Sequence, residues 1–144
     1  MRRNHQQGVA LVEFALILPL LLILTFTTTE FGRALYEYDS VTKSVRDAAR
    51  YLTTQTPGSA AAQTAAQNLV IYGYTAPPSG SPPVARGLSA ATVTSTWGSA
   101  GAAPVINTVE VRVSNYQFQS IFTTVFGLSF GTVTFSDITA AMRR

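Results

Sequence analysis

Apolar and polar positions fall into differently patterned stretches along the chain. Residues 9–29 are almost uniformly apolar, with one charge, Glu13, and a centre reading FALILPLLLIL over 14–24. In a helix such a run spans roughly 31 Å at ~1.5 Å per residue, enough to cross a bilayer core. Beyond it, Phe31, Leu35, Tyr38, Thr42, Val45, Ala49 and Leu52 recur at alternating steps of four and three. That spacing predicts one face of an amphipathic helix. Glu30–Arg33, Asp39–Lys43 and Asp47–Arg50 stand at distances that pair on a helix. The two stretches join without a breaker, so one helix of roughly 70 Å is predicted over about residues 9–54. Thr56-Pro57-Gly58 stops it.

The remainder is patterned for a small domain. Residues 60–72 (AAAQTAAQNLVIY) predict a second, shorter helix. Residues 73–87 contain Pro77-Pro78 and Pro82-Pro83 among Gly and Ser and predict an exposed, mobile loop. Strands are predicted over 91–97, with Val93 and Trp97 on one face, over 105–113, and over 132–139. In the second, Val109, Val111 and Val113 alternate with Glu110 and Arg112. Phe118, Phe122, Phe126 and Phe130 recur at every fourth residue. They predict a short helix with a turn at Gly127 and a core-facing Phe stripe. Left exposed, that stripe would be a partner surface or a membrane-contacting patch. The expected fold class is α+β: a long N-terminal helix, transmembrane and then amphipathic, packed on a small antiparallel sheet.

Composition narrows the chemistry. The charged fraction is 12%, about half the share usual in soluble domains. Cysteine is absent, which excludes disulfides, thiolate metal sites and Cys nucleophiles. The net charge is +3, but Arg2, Arg3, Arg143 and Arg144 lie at the two ends. Loss of residues 1–8 would leave +1 and no basic stripe, so no nucleic-acid partner is expected. The single histidine is His5, and the acids beyond the stem are only Glu110 and Asp137. Serines and threonines therefore lack a base to activate them. No carboxylate spacing suits a metal and no Gly-rich phosphate loop occurs. The expectation is no enzyme, no catalytic residue, no metal, no cofactor and no small-molecule substrate.

The informative junction is at the start. Gly8 ends a short basic leader, the apolar run begins at once, and Glu13 follows five residues after Gly8, with Phe14 next. Arg2 and Arg3 ahead of the run predict a cytoplasmic N-terminus and an external C-terminal part. A conventional signal peptide would need a small-residue cleavage site after the run. Residues 27–33 (TTTEFGR) have none, so the segment reads as retained. An acid at membrane depth costs up to ~2.5–3.5 kcal/mol at a helix centre. Either Glu13 pairs with an α-amine freed on Val9 of a neighbouring subunit by cleavage after Gly8, or it snorkels to the interface. Pro19 removes a helix hydrogen bond and predicts a kink. The kink either matters when helices repack or is an ordinary tolerated membrane proline.

Residues 8–19 (GVALVEFALILP) resemble the processing site of type IV prepilins. More narrowly, they resemble the TadE-like pseudopilin and minor pilin family of Tad (Flp) type IVc pilus systems. The shared features are a short basic leader, Gly, four residues, Glu-Phe, and an apolar run with a Pro. Glu30-Phe-Gly-Arg33 and Ala48-Ala-Arg50-Tyr51 extend the likeness, which covers about residues 6–52 well and the C-terminal half loosely. The resemblance implies a pilin-like fold and leader removal by a membrane-embedded aspartyl prepilin peptidase. It implies processing residues Gly8, Val9, Glu13 and Phe14, and assembly or packing residues Glu13, Pro19, Glu30 and Arg33. Implied partners are the prepilin peptidase, other pilins and pilus assembly proteins, and inner-membrane lipid. The domains read as leader 1–8, transmembrane helix 9–29, stem helix 30–55 and C-terminal α+β domain 56–144. That domain would face the periplasm of a bacterial inner membrane, whether the subunit stays there or enters an extracellular pilus. Major Flp pilins are very short, so the implied role is a minor pilin-like subunit in pilus assembly. The alternative is an unprocessed single-pass anchor displaying a small binding or adhesion domain. Only the processed subunit needs both Gly8 and Glu13.

Overall fold

The computed structural model describes residues 5–100, 106–122, 124–125, 127–129 and 131–144 of the chain. Its helices are α1 (His5–Thr53) and α2 (Ala60–Tyr72), followed by a short 3-10 turn (Leu88–Ala90). The strands are β1 (Thr92–Ala100), β2 (Ile106–Ser114), β3 (Gln117–Phe118), β4 (Thr124–Val125), β5 (Leu128–Ser129), β6 (Val133–Thr134) and β7 (Ile138–Arg143). The fold is α+β, as the pattern predicted: a long N-terminal helix, a shorter helix and a small antiparallel sheet. The chain forms two compact units, Met1–Ala34 with Ser120–Gly131, and Leu35–Gln119 with Thr132–Arg144.

In the larger unit, β1, β2 and β7 form an antiparallel sheet in the order β1-β2-β7. The register sets Val113 between Val93 and Ile138, and Val109 between Trp97 and Met142. Because side chains alternate along a strand, Val109, Val111 and Val113 share one fully buried face. Thr94, Arg112 and Thr139 stand on the other and are exposed. The apolar face joins Val41, Val45, Ala48, Ala49 and Leu52 of α1 and Ala62, Ala66 and Val70 of α2 in one core. Each fully buried Val or Leu contributes about 1.5–3 kcal/mol, so this shared core holds the unit together. Trp97 and Phe135 pack against it partly buried.

Local chemistry sets the ends of α2. The Ser59 hydroxyl accepts the Ala62 N–H at 3.3 Å, and Gly73, in the left-handed region, donates to the Leu69 carbonyl at 3.0 Å. The following loop is less free than its composition suggests. The Val84 N–H donates to the Ile71 carbonyl at 2.7 Å, and Ala85 is buried. At Gly87, φ is +78° and an added Cβ would collide with the Gln117 carbonyl oxygen. Only glycine fits where the chain passes β3 so closely.

Three expectations are corrected. The third strand of the main sheet is Ile138–Arg143 rather than 132–139, while Val133–Thr134 pairs with β3. Phe135 breaks the run, because its N–H is taken by the Tyr116 carbonyl and its ring lies against Tyr116 and Tyr38. Second, the described residues between 116 and 130 form short strands and connections, not a helix. A repeat of four is a multiple of the strand period as well as close to the helical one. The β-branched residues between the aromatics favour the extended chain. Phe118 is buried, Phe122 half-buried, and Phe126 and Phe130 lie outside the described residues. Third, Phe31 and Leu35 do not face the core; they are 65% and 53% exposed. A stripe with a mean step of 3.5 drifts by about 20° per heptad around a straight helix, so it cannot hold one face for three heptads.

In the smaller unit, β4 and β5 pair antiparallel as a hairpin, Thr124 with Ser129 and Val125 with Leu128. Its turn takes in Gly127, as expected. The α1 portion of this unit is long and apolar enough to cross a membrane, and its most apolar window is not buried by any of the described residues. It fits a single-pass membrane anchor.

Candidate functional site

Gly8 is the fourth residue of α1. A Cβ placed on it would meet nothing within 4 Å, so no packing among the described residues demands a glycine there. Val9, Val12, Phe14 and Leu16 are exposed around the same turns. Glu13 is exposed among them and has no ion-pair partner among the described residues. The helix continues without a break through half-buried Pro19. At the far end of the apolar run, the hydroxyls of Thr25, Thr27, Thr28 and Thr29 each donate to the carbonyl four residues back, at 2.8–2.9 Å. Polar side chains that bond back to their own helix need no water, which suits a helix end near hydrocarbon.

Immediately beyond, Glu30 is only 6% exposed. The Arg33 guanidinium meets it as a fork: Nε donates to Oε1 at 3.4 Å and a terminal nitrogen donates to Oε2 at 3.0 Å. The Ile121 N–H donates to the same Oε2 at 3.3 Å, and the Ser120 hydroxyl also hydrogen-bonds the carboxylate. Burial pushes the Glu30 carboxyl up. The Arg33, Ser120 and Ile121 donors and the guanidinium charge outweigh it, so the group is held below the usual carboxylate range. The expected Glu30–Arg33 pair is therefore present, and it also carries the segment beginning at Ser120.

A second buried acid was not foreseen. Glu37 is buried, and its carboxylate accepts the Tyr116 O–H at 3.0 Å. The signal was available in the spacing: Glu30 and Glu37 are seven residues apart, two turns on one helix face, with Val41, Ser44, Ala48 and Leu52 continuing it. An apolar-only template skips both acids.

The sequence-predicted residues thus separate into two groups. Gly8, Val9, Glu13 and Phe14 lie on an uncovered stretch of α1, whereas Glu30 and Arg33 are joined to each other and to residues 120–121. Pro19 belongs to neither group. No curated protein and no solved structure matches the chain. Residues 8–50 match the family model described as TadE-like protein. That match takes in Gly8, Glu13, Phe14, Pro19, Glu30 and Arg33, and it stops before α2 and the sheet. The first helix, over less than a third of the chain, is therefore similar to the TadE-like family to which the motif at residues 8–19 pointed.

Proposed function

We propose that this chain is a minor pilin-like subunit of a Tad (Flp) pilus apparatus, made with a leader that a prepilin peptidase removes after Gly8. The observation that carries the reading is a first helix that matches the TadE-like family model and whose apolar N-terminal stretch is left unburied by the described residues. Such a surface needs lipid before assembly and neighbouring helices after it. Gly8 has open space around its Cα. Its place five residues ahead of Glu13-Phe14 is explained by a peptidase that admits no side chain there.

Cleavage would give Val9 an α-amine. Glu13 of an adjacent subunit could then pair with it, neutralising two charges that are costly at membrane depth. The pair would set the axial register of one helix against the next, since a mismatch leaves a charge unpaired. Arg2 and Arg3 would hold the N-terminus in the cytoplasm and send the C-terminal domain to the periplasmic side of a bacterial inner membrane. The partners are the peptidase, other pilins, assembly proteins and membrane lipid, and no residue has a catalytic role.

The test is the N-terminus of the protein from its native host. Intact mass and N-terminal sequencing should place it at Val9, and Gly8→Val should keep the whole leader. Met1 retained on the wild-type protein would sink the processing claim. Glu13→Gln should still be cleaved yet fail to restore surface pili to a deletion strain. Full piliation would make the carboxylate dispensable and favour snorkelling.

A further inference from the structure

Within the smaller unit, Ser120, Ile121 and Phe122, which lead into the β4–β5 hairpin, are fastened to the end of the apolar run of α1. We propose that this is a membrane-contacting hairpin, with Ile121 and Phe122 seated at the headgroup–acyl boundary of the bilayer that α1 crosses. The proposal rests on the anchor reading of α1.

Depth comes from an aromatic contact. The Phe122 ring lies 4.8 Å from that of Phe26, centroid to centroid. Phe26 is three residues inside the end of the apolar run at Thr29, roughly 4–5 Å at ~1.5 Å per residue. A ring held there lies at or just below the level where the helix leaves hydrocarbon. Ile121, its neighbour, is 52% exposed, so it presents an apolar side chain outward at that level.

The backbone is prepared for a dry environment. The Ile121 N–H goes to Glu30. The Phe122 N–H goes to the Ser120 hydroxyl at 3.1 Å, and the same hydroxyl lies 2.8 Å from the Phe122 carbonyl. Beyond it, β4 and β5 pair with each other. A loop in water can leave such groups to solvent, whereas near hydrocarbon each unsatisfied one costs several kcal/mol. The charge that does the capping is itself matched by Arg33.

Composition agrees with placement. Between Arg112 and Asp137 there is no charged residue, and residues 120–131 read SIFTTVFGLSFG. Aromatic side chains gather at membrane interfaces, where a ring can sit beside polar backbone. The occupant is lipid rather than protein because this patch continues the exposed apolar surface of the anchor stretch of α1, which includes Leu20, Leu21 and Leu24. A neighbouring subunit's helix is the rival occupant.

The chain has no native cysteine, so single-cysteine variants report cleanly. Ile121→Cys and Leu20→Cys, both at exposed positions, would be labelled with bimane in the full chain. Each would be reconstituted in phosphatidylethanolamine–phosphatidylglycerol vesicles with and without acyl-brominated phosphatidylcholine. The expected result is loss of fluorescence at both sites with the brominated lipid, and protection of both from aqueous iodide. Quenching at Leu20 by the lipid, with Ile121 quenched only by iodide, overturns the hairpin proposal and leaves the anchor intact. Failure of the lipid to quench Leu20 overturns the anchor reading, and the proposal with it. Quenching at Ile121 that fades as the protein-to-lipid ratio rises, while that at Leu20 persists, makes the occupant a second copy of the chain.

Discussion

Leu16 and Leu52 belong to the same helix, yet Leu16 is 75% exposed and Leu52 is fully buried. The stretch around Leu16 is apolar on every side and stays exposed among the described residues. The stretch around Leu52 is apolar on one side only, and that side meets α2 and the sheet. The difference teaches that pattern, more than hydrophobic content, says where a helix's apolar surface goes. A single stripe is matched by the chain's own domain, while an all-round surface must be matched by another solvent or another molecule.

The largest expected effect comes from testing that contrast directly. Leu52→Ala should cost about 2–5 kcal/mol of unfolding free energy, since it opens a cavity in a closed core. Leu16→Ala should leave it within experimental error. Melting of the full chain in detergent micelles reads both, and equal losses would break the comparison.

Next in size is the buried acid of the stem. Tyr116→Phe removes one donor from the Glu37 carboxylate while keeping the ring on Phe135. Hydrogen bonds to charged groups contribute about 1.5–3 kcal/mol, so a drop in the same melt is expected. An unchanged midpoint would mean that the Tyr116 hydroxyl adds nothing to the stem's grip on the domain.

The smallest effect is read as a difference between pH values. The Glu30 carboxyl is held below its unfolded value. Its pairing therefore adds stability that is fully present above the unfolded carboxylate range and is lost as pH falls through the lower folded value. The gap in melting midpoint between wild type and Glu30→Gln should hold steady near neutral pH and close in acid. A gap that persists in strong acid would show that the charge is not what Glu30 contributes.

Neighbour-to-neighbour rules made much of this molecule legible. α2 matches its expected bounds because a Ser cap, a helix-forming interior and a terminal Gly all act within a few residues. The end of α1 near Thr53, the inward valines of β2 and the Glu30–Arg33 pair are similarly local. In the stretch that matches the TadE-like family model, Gly8, Glu13 and Phe14 were visible for the same reason. They are defined by spacing along one helix and are exposed among the described residues.

What local pattern could not supply was every choice made by distant partners. The short strands at Gln117–Phe118, Thr124–Val125 and Leu128–Ser129 hide behind aromatics spaced by four, a repeat that suits helix and strand alike. The third strand at Ile138–Arg143 was displaced because Phe135 is claimed by Tyr116 and Tyr38. Glu30 and Glu37 look like solvent-facing acids until Ile121 and Tyr116, far along the chain, bring donors to them. Helix starts, caps and stripes depend on energies that adjacent residues set among themselves. Burying a carboxylate or choosing between helix and strand depends on groups that meet only when the chain has closed on itself.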